Sequence, residues 1–217
     1  MEMMKGDMGG GAAVAMAFMA AAQLQVDEHV VCLVPACFNM PGGAATNPGD
    51  VVRAMNGQTV EIINTDAEGR LLLADALHYA HTFDPAAVVD VATLTGAIDV
   101  ALGGHYFGVY SREELLWSAL QRAGKESGEF PWRMPLDVRY RKKMDSDVAD
   151  IKNAADRSGG SISAAMFLSD FVKVERWAHL DIAGVMYSPS DLPYQPKGMT
   201  GAATRTLIEF ILNSTAK

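Results

Sequence analysis

Cysteine is scarce in this sequence. Its 217 residues hold two, Cys32 and Cys37, both in the apolar run HVVCLVPACF. No second Cys/His pair completes a zinc-ligand spacing, so the two read as core thiols in a reducing compartment, with a disulfide or metal pair as the lesser alternative. Long apolar stretches are missing as well. The most apolar segment, 9–22, is short and rich in Ala and Gly, lacks a basic n-region and is preceded by Asp7. It reads as a core helix, and neither as a membrane span nor as a signal peptide. Positive charge is in deficit: 18 Lys and Arg stand against 26 Asp and Glu, a net charge of −8. The longest basic cluster, Arg139–Lys143, reads as a solvated helix face. This balance argues against nucleic acid and against an anionic membrane as the main partner. A cytoplasmic location is the default expectation.

What is present suits one α/β domain with a real core, at 49% hydrophobic and 20% charged residues. A small-residue helix over 9–22 leads to a buried strand in HVVCLVP. Residues 37–50, dense in Pro, Gly and Asn, are loop. VVRAM and QTVEII flank Asn56-Gly57, a pair suited to the φ > 0 positions of a type I′ turn, which predicts a β-hairpin. A helix follows over 70–83, then a strand over 87–93. A second small-residue helix opens at Thr95 and Gly96. YFGVYS predicts a strand and residues 112–127 an amphipathic helix. Residues 131–153 are irregular apart from a short helix near 138–143. A helix in SISAAMFLSDFV, a strand in WAHLDIAG and a helix in TRTLIEFILN follow. Helices alternating with short continuous apolar runs predict a three-layer α/β fold, with a mostly parallel, mixed sheet covered by helices on both faces. No repeat or low-complexity linker divides the chain, so a single domain is expected.

One stretch carries more chemistry than a fold requires. In EIINTDAEGR, Glu61–Arg70, an apolar strand runs out into Asp66, Glu68 and Arg70. Ligands of such folds bind beyond the carboxyl ends of strands. If the backbone stays extended, its two-residue period points Asp66 and Glu68 the same way. Two carboxylates aimed at one point need a positive partner, and a divalent cation with hard oxygen ligands is the usual answer. Arg70, at the start of the next helix, could hold an anion or oxyanion beside it. A plainer reading makes Asp66 a helix N-cap, Glu68 a first-turn acid and Arg70 a surface partner. A D-x-E spacing alone does not choose between them. Asp75 reads as a surface or helix-end contact, and His78 and His81, three apart on one helix face, as ordinary helix surface. DRSGG at Asp156 reads as a Gly-rich loop. MGGGAA at Met8 lacks the Lys-Ser/Thr of a phosphate loop.

The wider string NPGDVVRAMNGQTVEIINTDAEGRLLLADAL resembles the signature region of the leucyl aminopeptidase family, hexameric two-metal exopeptidases, and NTDAEGR stands here letter for letter as that family carries it. MKGDMGGGAA, VATLTGA, WAHLDIAGVM and KGMTGAATRTLIEFI are similar to further patterns of the family, so the resemblance spans nearly the whole chain. It implies a metal-dependent aminopeptidase that releases leucine-like residues from peptides with a free N-terminus. It also implies two divalent ions, zinc or manganese, as cofactors. By the resemblance, Asp66 and Glu68 are metal ligands, Glu68 bridging both ions, and Asp7 serves the second, more exchangeable site. Arg70 resembles the arginine that binds a bicarbonate ion acting as general base. Met4, Asn64, Thr93, Gly96, Ala183 and Met186 resemble the wall of the substrate pocket, and Leu94 offers the substrate a backbone contact. The physics is coherent: paired cations about 3.5–4 Å apart polarise a carbonyl and activate a water, and Met4, Ala183 and Met186 would receive an apolar side chain.

The family pattern also places a Lys, then Asp-Ser-Gly-Gly, then a second Lys shortly before the position of Asp7, and a separate N-terminal domain before those. The sequence starts six residues before Asp7 and holds neither. The expectation is a partial C-terminal catalytic domain over 1–217, its sheet incomplete on the N-terminal side, with a sheet edge and apolar helix faces exposed. Two functional classes follow: a metal-dependent enzyme, and a non-catalytic fragment or subunit of a hexamer. DNA binding, a property of bacterial members of that family, has no support from an acidic chain.

Overall fold

The computed structural model describes residues 2–214. After a 3-10 turn at Glu2–Gly6 come α1 (Gly9–Gln23), β1 (Val51–Arg53), β2 (Thr59–Glu61), α2 (Gly69–Ala80), β3 (Val88–Ala92), α3 (Gly96–Leu102), β4 (Phe107–Tyr110) and α4 (Glu114–Ser127). β5 (Pro131–Arg133), α5 (Val138–Arg141), β6 (Ile151–Lys152), α6 (Gly160–Ser169), β7 (Trp177–Asp181), β8 (Tyr187–Ser188), β9 (Gly198–Met199) and α7 (Thr204–Ser214) follow.

The central sheet has four strands in the order β3-β7-β4-β5. β3 is parallel to β7 and β4 to β5, while β7 and β4 are antiparallel. All of β7 is buried, which explains its lack of polar alternation: both faces are covered. Ala178 and Leu180 pack on one face with Val91, Val109, Leu116 and Leu207, beneath α1, α4 and α7. Trp177 packs on the other with Ala74, Leu77, Phe167 and Phe171, beneath α2 and α6. The mixed sheet with helices on both sides matches the sequence expectation.

A smaller sheet, β1-β2-β6, lies beside it. β1 and β2 form the expected hairpin, with Val51 opposite Glu61 and Arg53 opposite Thr59. Its turn differs from the expected type I′. Gly57 donates its amide to Ala54 O at 2.9 Å, Ala54 donates to Gln58 O at 2.9 Å, and Gly57 has φ +92°. Asn56 does not take a positive φ. The connection is longer than two residues, so one left-handed glycine closes it. β2 then pairs in parallel with β6, Val60 opposite Ile151 and Glu61 opposite Lys152.

Three further expectations are corrected. HVVCLVP is not a strand: residues 29–40 carry no ladder, since strand-like sequence needs a neighbour to pair with. Val34 instead lies against Gly11 of α1. The thiols are not core groups, for Cys32 is half-buried and Cys37 exposed, both free. Beside them Phe38 is 93% exposed, and Met16, Phe18 and Met19 of α1 are exposed as well. The basic cluster is an ion-paired surface instead of a merely solvated one: Arg139 meets Asp137, Arg141 meets Asp145 and Asp170, and Lys143 meets Asp156.

Candidate functional site

β2 ends at Glu61, and the chain turns sharply before α2. Asn64 Oδ1 accepts the Asp66 amide at 3.0 Å, and Ala67 donates its amide to Asn64 O at 3.2 Å. This Asx turn leaves Asp66 exposed and Glu68 half-buried. The capping reading fails here. The cap position is held by Glu68, with helical φ −75° and ψ −35°, and its side chain makes no cap hydrogen bond. Glu68 Oε2 is instead buried with no protein partner, a costly state for a carboxylate oxygen unless something positive meets it. Arg70 is not a surface partner but buried. Its Nη1 donates to Asn153 O at 2.8 Å, while Nε has no protein partner. Burial lowers its pKa to about 10, against the charges of Asp181 and Glu68, which raise it. It therefore stays cationic at neutral pH.

The carboxyl end of β3 forms the neighbouring wall. Thr93 Oγ1 donates to Asp7 Oδ1 at 2.7 Å. Asp181, at the end of β7, holds the next turn: its Oδ1 accepts the Leu94 amide at 3.0 Å and the Thr95 amide at 3.3 Å, and its Oδ2 accepts Thr95 Oγ1 at 2.6 Å. Thr95 Oγ1 in turn caps α3 by accepting the Ile98 amide at 3.2 Å. Gly96 is exposed, with open space around it. Leu94 lies against Gly69, which joins this turn to the start of α2. Ala183 opens a 3-10 turn after β7, and Met186 follows that turn. The Met186 and Met199 side chains lie against Gly6, next to Asp7, and Met4 is exposed nearby in sequence.

The structure thus joins Asp7 to Thr93, Leu94 to the α2 start, and Met186 to the Met4–Asp7 segment. Among the described residues no group of three His, Cys, Asp or Glu side chains is disposed to hold a metal ion. The donors still suit one: the carboxylates are hard oxygen ligands, and the unpartnered Glu68 Oε2 has the character of an unmet ligand atom.

Comparison with known proteins decides the family. A profile described as "Cytosol aminopeptidase family, catalytic domain" matches residues 1–208. The chain belongs to the cytosol aminopeptidase family. The cytosol aminopeptidase of Dictyostelium discoideum is 56% identical over 212 residues, which cover 97% of this chain and 41% of that protein. The human cytosol aminopeptidase is 52% identical over 214 residues, covering 98% of this chain and 41% of that one. A tomato leucine aminopeptidase variant superposes with a TM-score of 0.88 at 42% identity, covering 97% of this chain and 41% of that chain. The bottromycin maturation enzyme BotP, in complex with Mn, superposes with a TM-score of 0.89 at 41% identity, covering 96% of this chain and 47% of that chain. The chain spans about two fifths of the length of the cytosol aminopeptidases it matches.

Within this cytosol aminopeptidase fold, sequence reasoning overlooked two groups beside the site. Asn153 is buried behind the Asp66 loop, and nothing in IKNAAD marks it. Asp181, with Asp90 and His179, forms a buried polar layer under the site. Asp90 accepts Trp177 Nε1 at 2.7 Å and lies 2.5 Å from His179 Nδ1. Burial pulls the His179 imidazole down, and the charge and hydrogen bond of Asp90 more than offset it, so its pKa lies above the ordinary value. Burial pushes the Asp181 carboxyl above its ordinary value, against the His179 charge and the hydrogen bonds it accepts. A signal existed for this layer: Asp and His inside apolar strands are rarely buried without a partner. His78 and His81 form no part of the site, and His81 Nε2 accepts the Lys173 amide at 2.9 Å. Asp75 accepts the Met55 amide at 2.7 Å and ties the hairpin to α2.

Proposed function

We propose that residues 1–217 form part of the C-terminal catalytic domain of a metal-dependent aminopeptidase, which releases leucine-like residues from peptides with a free N-terminus. The observation that carries this reading is Glu68: a family-matched carboxylate that caps nothing and buries an unpartnered oxygen beside a buried, cationic Arg70. Asp66, Glu68 and Asp7 would hold two divalent ions, with Glu68 shared between them. The Mn complex of BotP supports manganese, and zinc fits the same donors. When bound, such ions polarise a scissile carbonyl and lower the pKa of a water.

The remaining roles belong to the chain's own groups. Thr93 fixes the Asp7 carboxylate through its hydroxyl. Arg70 keeps Nε free as a buried donor, which suits a planar anion such as bicarbonate acting as general base. Asp181 engages the Leu94 amide, so the Leu94 contact with the peptide falls to its carbonyl. Met4 and Met186, with Asn64, Thr93, Gly96 and Ala183, line the space for the first side chain, and methionine adapts well to varied apolar shapes. A cytosolic location, in line with the names of the relatives, and the hexameric assembly that the family resemblance implies complete the proposal. The net charge of −8 and the ion-paired basic cluster give no support to a nucleic-acid partner. Among the described residues no helix is long and apolar enough to cross a membrane.

The test is leucine-amide hydrolysis during a Mn²⁺ titration. It compares the chain, the chain extended upstream with a relative's Lys, Asp-Ser-Gly-Gly and Lys segment, and the extended chain carrying Glu68→Ala. Extension should raise both metal affinity and rate, and Glu68→Ala should abolish the gain. An extended Glu68→Ala variant with undiminished rate refutes the site.

A further inference from the structure

We propose that Asn153 is a positioning residue, whose side-chain amide sets the shape of the Asn64–Glu68 loop and thereby where Asp66 and Glu68 present their carboxylates. For its effect on ion binding the inference rests on the metal-site reading above. Its effect on the loop stands alone.

Asn153 follows the last residue of β6. Its backbone amide donates to Glu61 O at 2.9 Å and carries the β2–β6 ladder one step past the Glu61–Lys152 pair. There β2 stops and the loop leaves the sheet, so loop amides and carbonyls lose their ladder partners above a buried side chain. The Asn153 side chain replaces those partners. It has 0% exposure. Its Oδ1 accepts the Ile63 amide at 2.8 Å and the Asn64 amide at 3.2 Å. Its Nδ2 donates to Asn64 O at 2.7 Å and to Ala67 O at 3.3 Å. A primary amide has two acceptor sites and two donor hydrogens, and all four are used. The Asn153 carbonyl accepts Arg70 Nη1 at 2.8 Å. One residue outside the signature motif thus holds both ends of the turn that carries Asp66 and also the guanidinium that follows it.

The residue type is dictated by this geometry. Aspartate would keep the acceptors but point a carboxylate at two carbonyls. Serine has one donor hydrogen, and leucine would leave the Ile63 and Asn64 amides and the Ala67 carbonyl without these partners. Glutamine carries the same amide one methylene too far out for a site with no free space.

The experiment measures amide hydrogen exchange in the wild-type chain, Asn153→Ala, Asn153→Asp and Glu68→Ala, with Mn²⁺ affinity by calorimetry. Asn153→Ala should speed exchange at Ile63 and Asn64 by about tenfold or more, leave the amides of β3 and β7 unchanged, and weaken Mn²⁺ binding about tenfold, as expected when buried hydrogen bonds are left unmade. Asn153→Asp keeps the acceptor bonds and serves also if Asn153→Ala does not fold. It should preserve Ile63 protection and speed exchange at Ala67. Unchanged loop exchange in both variants overturns the proposal. So does acceleration spread equally to β3 and β7, which would mark a role in global stability, and so does a loosened loop with unaltered Mn²⁺ affinity. Mn²⁺ binding that is absent from the wild type or survives Glu68→Ala counts against the metal-site reading instead, and the exchange rates then decide whether Asn153 sets the loop.

Discussion

Thr93 donates its hydroxyl to Asp7 across 2.7 Å, tying the end of β3 to the turn that opens α1. The two residues are 86 apart in the chain, and the bond holds an exposed carboxylate in one direction. Thr93→Val keeps the shape and removes the donor. A hydrogen bond to a charged group at an exposed position contributes about 1 kcal/mol, so Mn²⁺ affinity at the proposed Asp7 site should fall roughly fivefold. Thr93→Ser should restore it. Calorimetric titration of the three proteins checks this.

Glu68→Gln separates ion binding from folding. The Glu68 Oε2 atom has no protein partner, so the metal-free variant should melt close to wild type. Added Mn²⁺ raises the melting temperature of a protein that binds it in the folded state only, and Glu68→Gln should lose that rise. Thermal melts with and without Mn²⁺ supply the comparison. An equal metal-induced shift in both proteins would remove Glu68 from the ligand set.

Asp181 should make stability depend on pH in a defined direction. Burial raises its folded-state pKa above the ordinary value. Between the ordinary and the raised value the folded state binds more protons than the unfolded one, so this group's contribution to stability falls as pH rises through that window. Asp181→Asn preserves the acceptor toward the Leu94 and Thr95 amides, replaces the one toward the Thr95 hydroxyl, and carries no charge. The melting temperature of Asp181→Asn minus that of wild type should therefore grow as pH rises from about 4 and then level off. A flat or falling difference contradicts the buried-carboxylate account.

Two glycines should respond oppositely to the same substitution. A Cβ at Gly10 would stand 2.0 Å from Val91 O, because α1 rests directly on β3. Gly10→Ala should destabilise by about 3 kcal/mol, as overpacking against rigid backbone does. A Cβ at Gly96 meets nothing within 4 Å. Gly96→Ala should leave the denaturation midpoint unchanged while altering KM for leucine amide in the upstream-extended chain, if Gly96 lines the proposed substrate pocket. Urea titrations and steady-state kinetics test the pair.

The layered fold was legible because its signals are local. The apolar run WAHLD and the periodicity of ELLWSALQRAG each record one element's own burial, whereas GGGAAVAMAFMAAA, read as a core helix, buries only the stripe Gly10, Ala13, Ala17 and Ala21 and leaves Met16, Phe18 and Met19 exposed. The hairpin was legible for the same reason, though its turn class was not: Asn-Gly predicts two left-handed residues, and the longer connection needed only Gly57. HVVCLVP failed as a strand because its sequence records an affinity for a neighbour and cannot supply the neighbour.

At the site, the sequence alone puts Asp66, Glu68 and Arg70 within five residues of one another. Only the tertiary structure decided what holds them. Asn153 bonds to the loop from 86 to 90 positions away, and Asp181 bonds to Leu94 from 87. A side chain that satisfies distant backbone groups leaves no period and no spacing in the chain. Its partners are fixed by where β6 and β7 end beside β2 and β3, a consequence of sheet order that exists only once the sheets have formed.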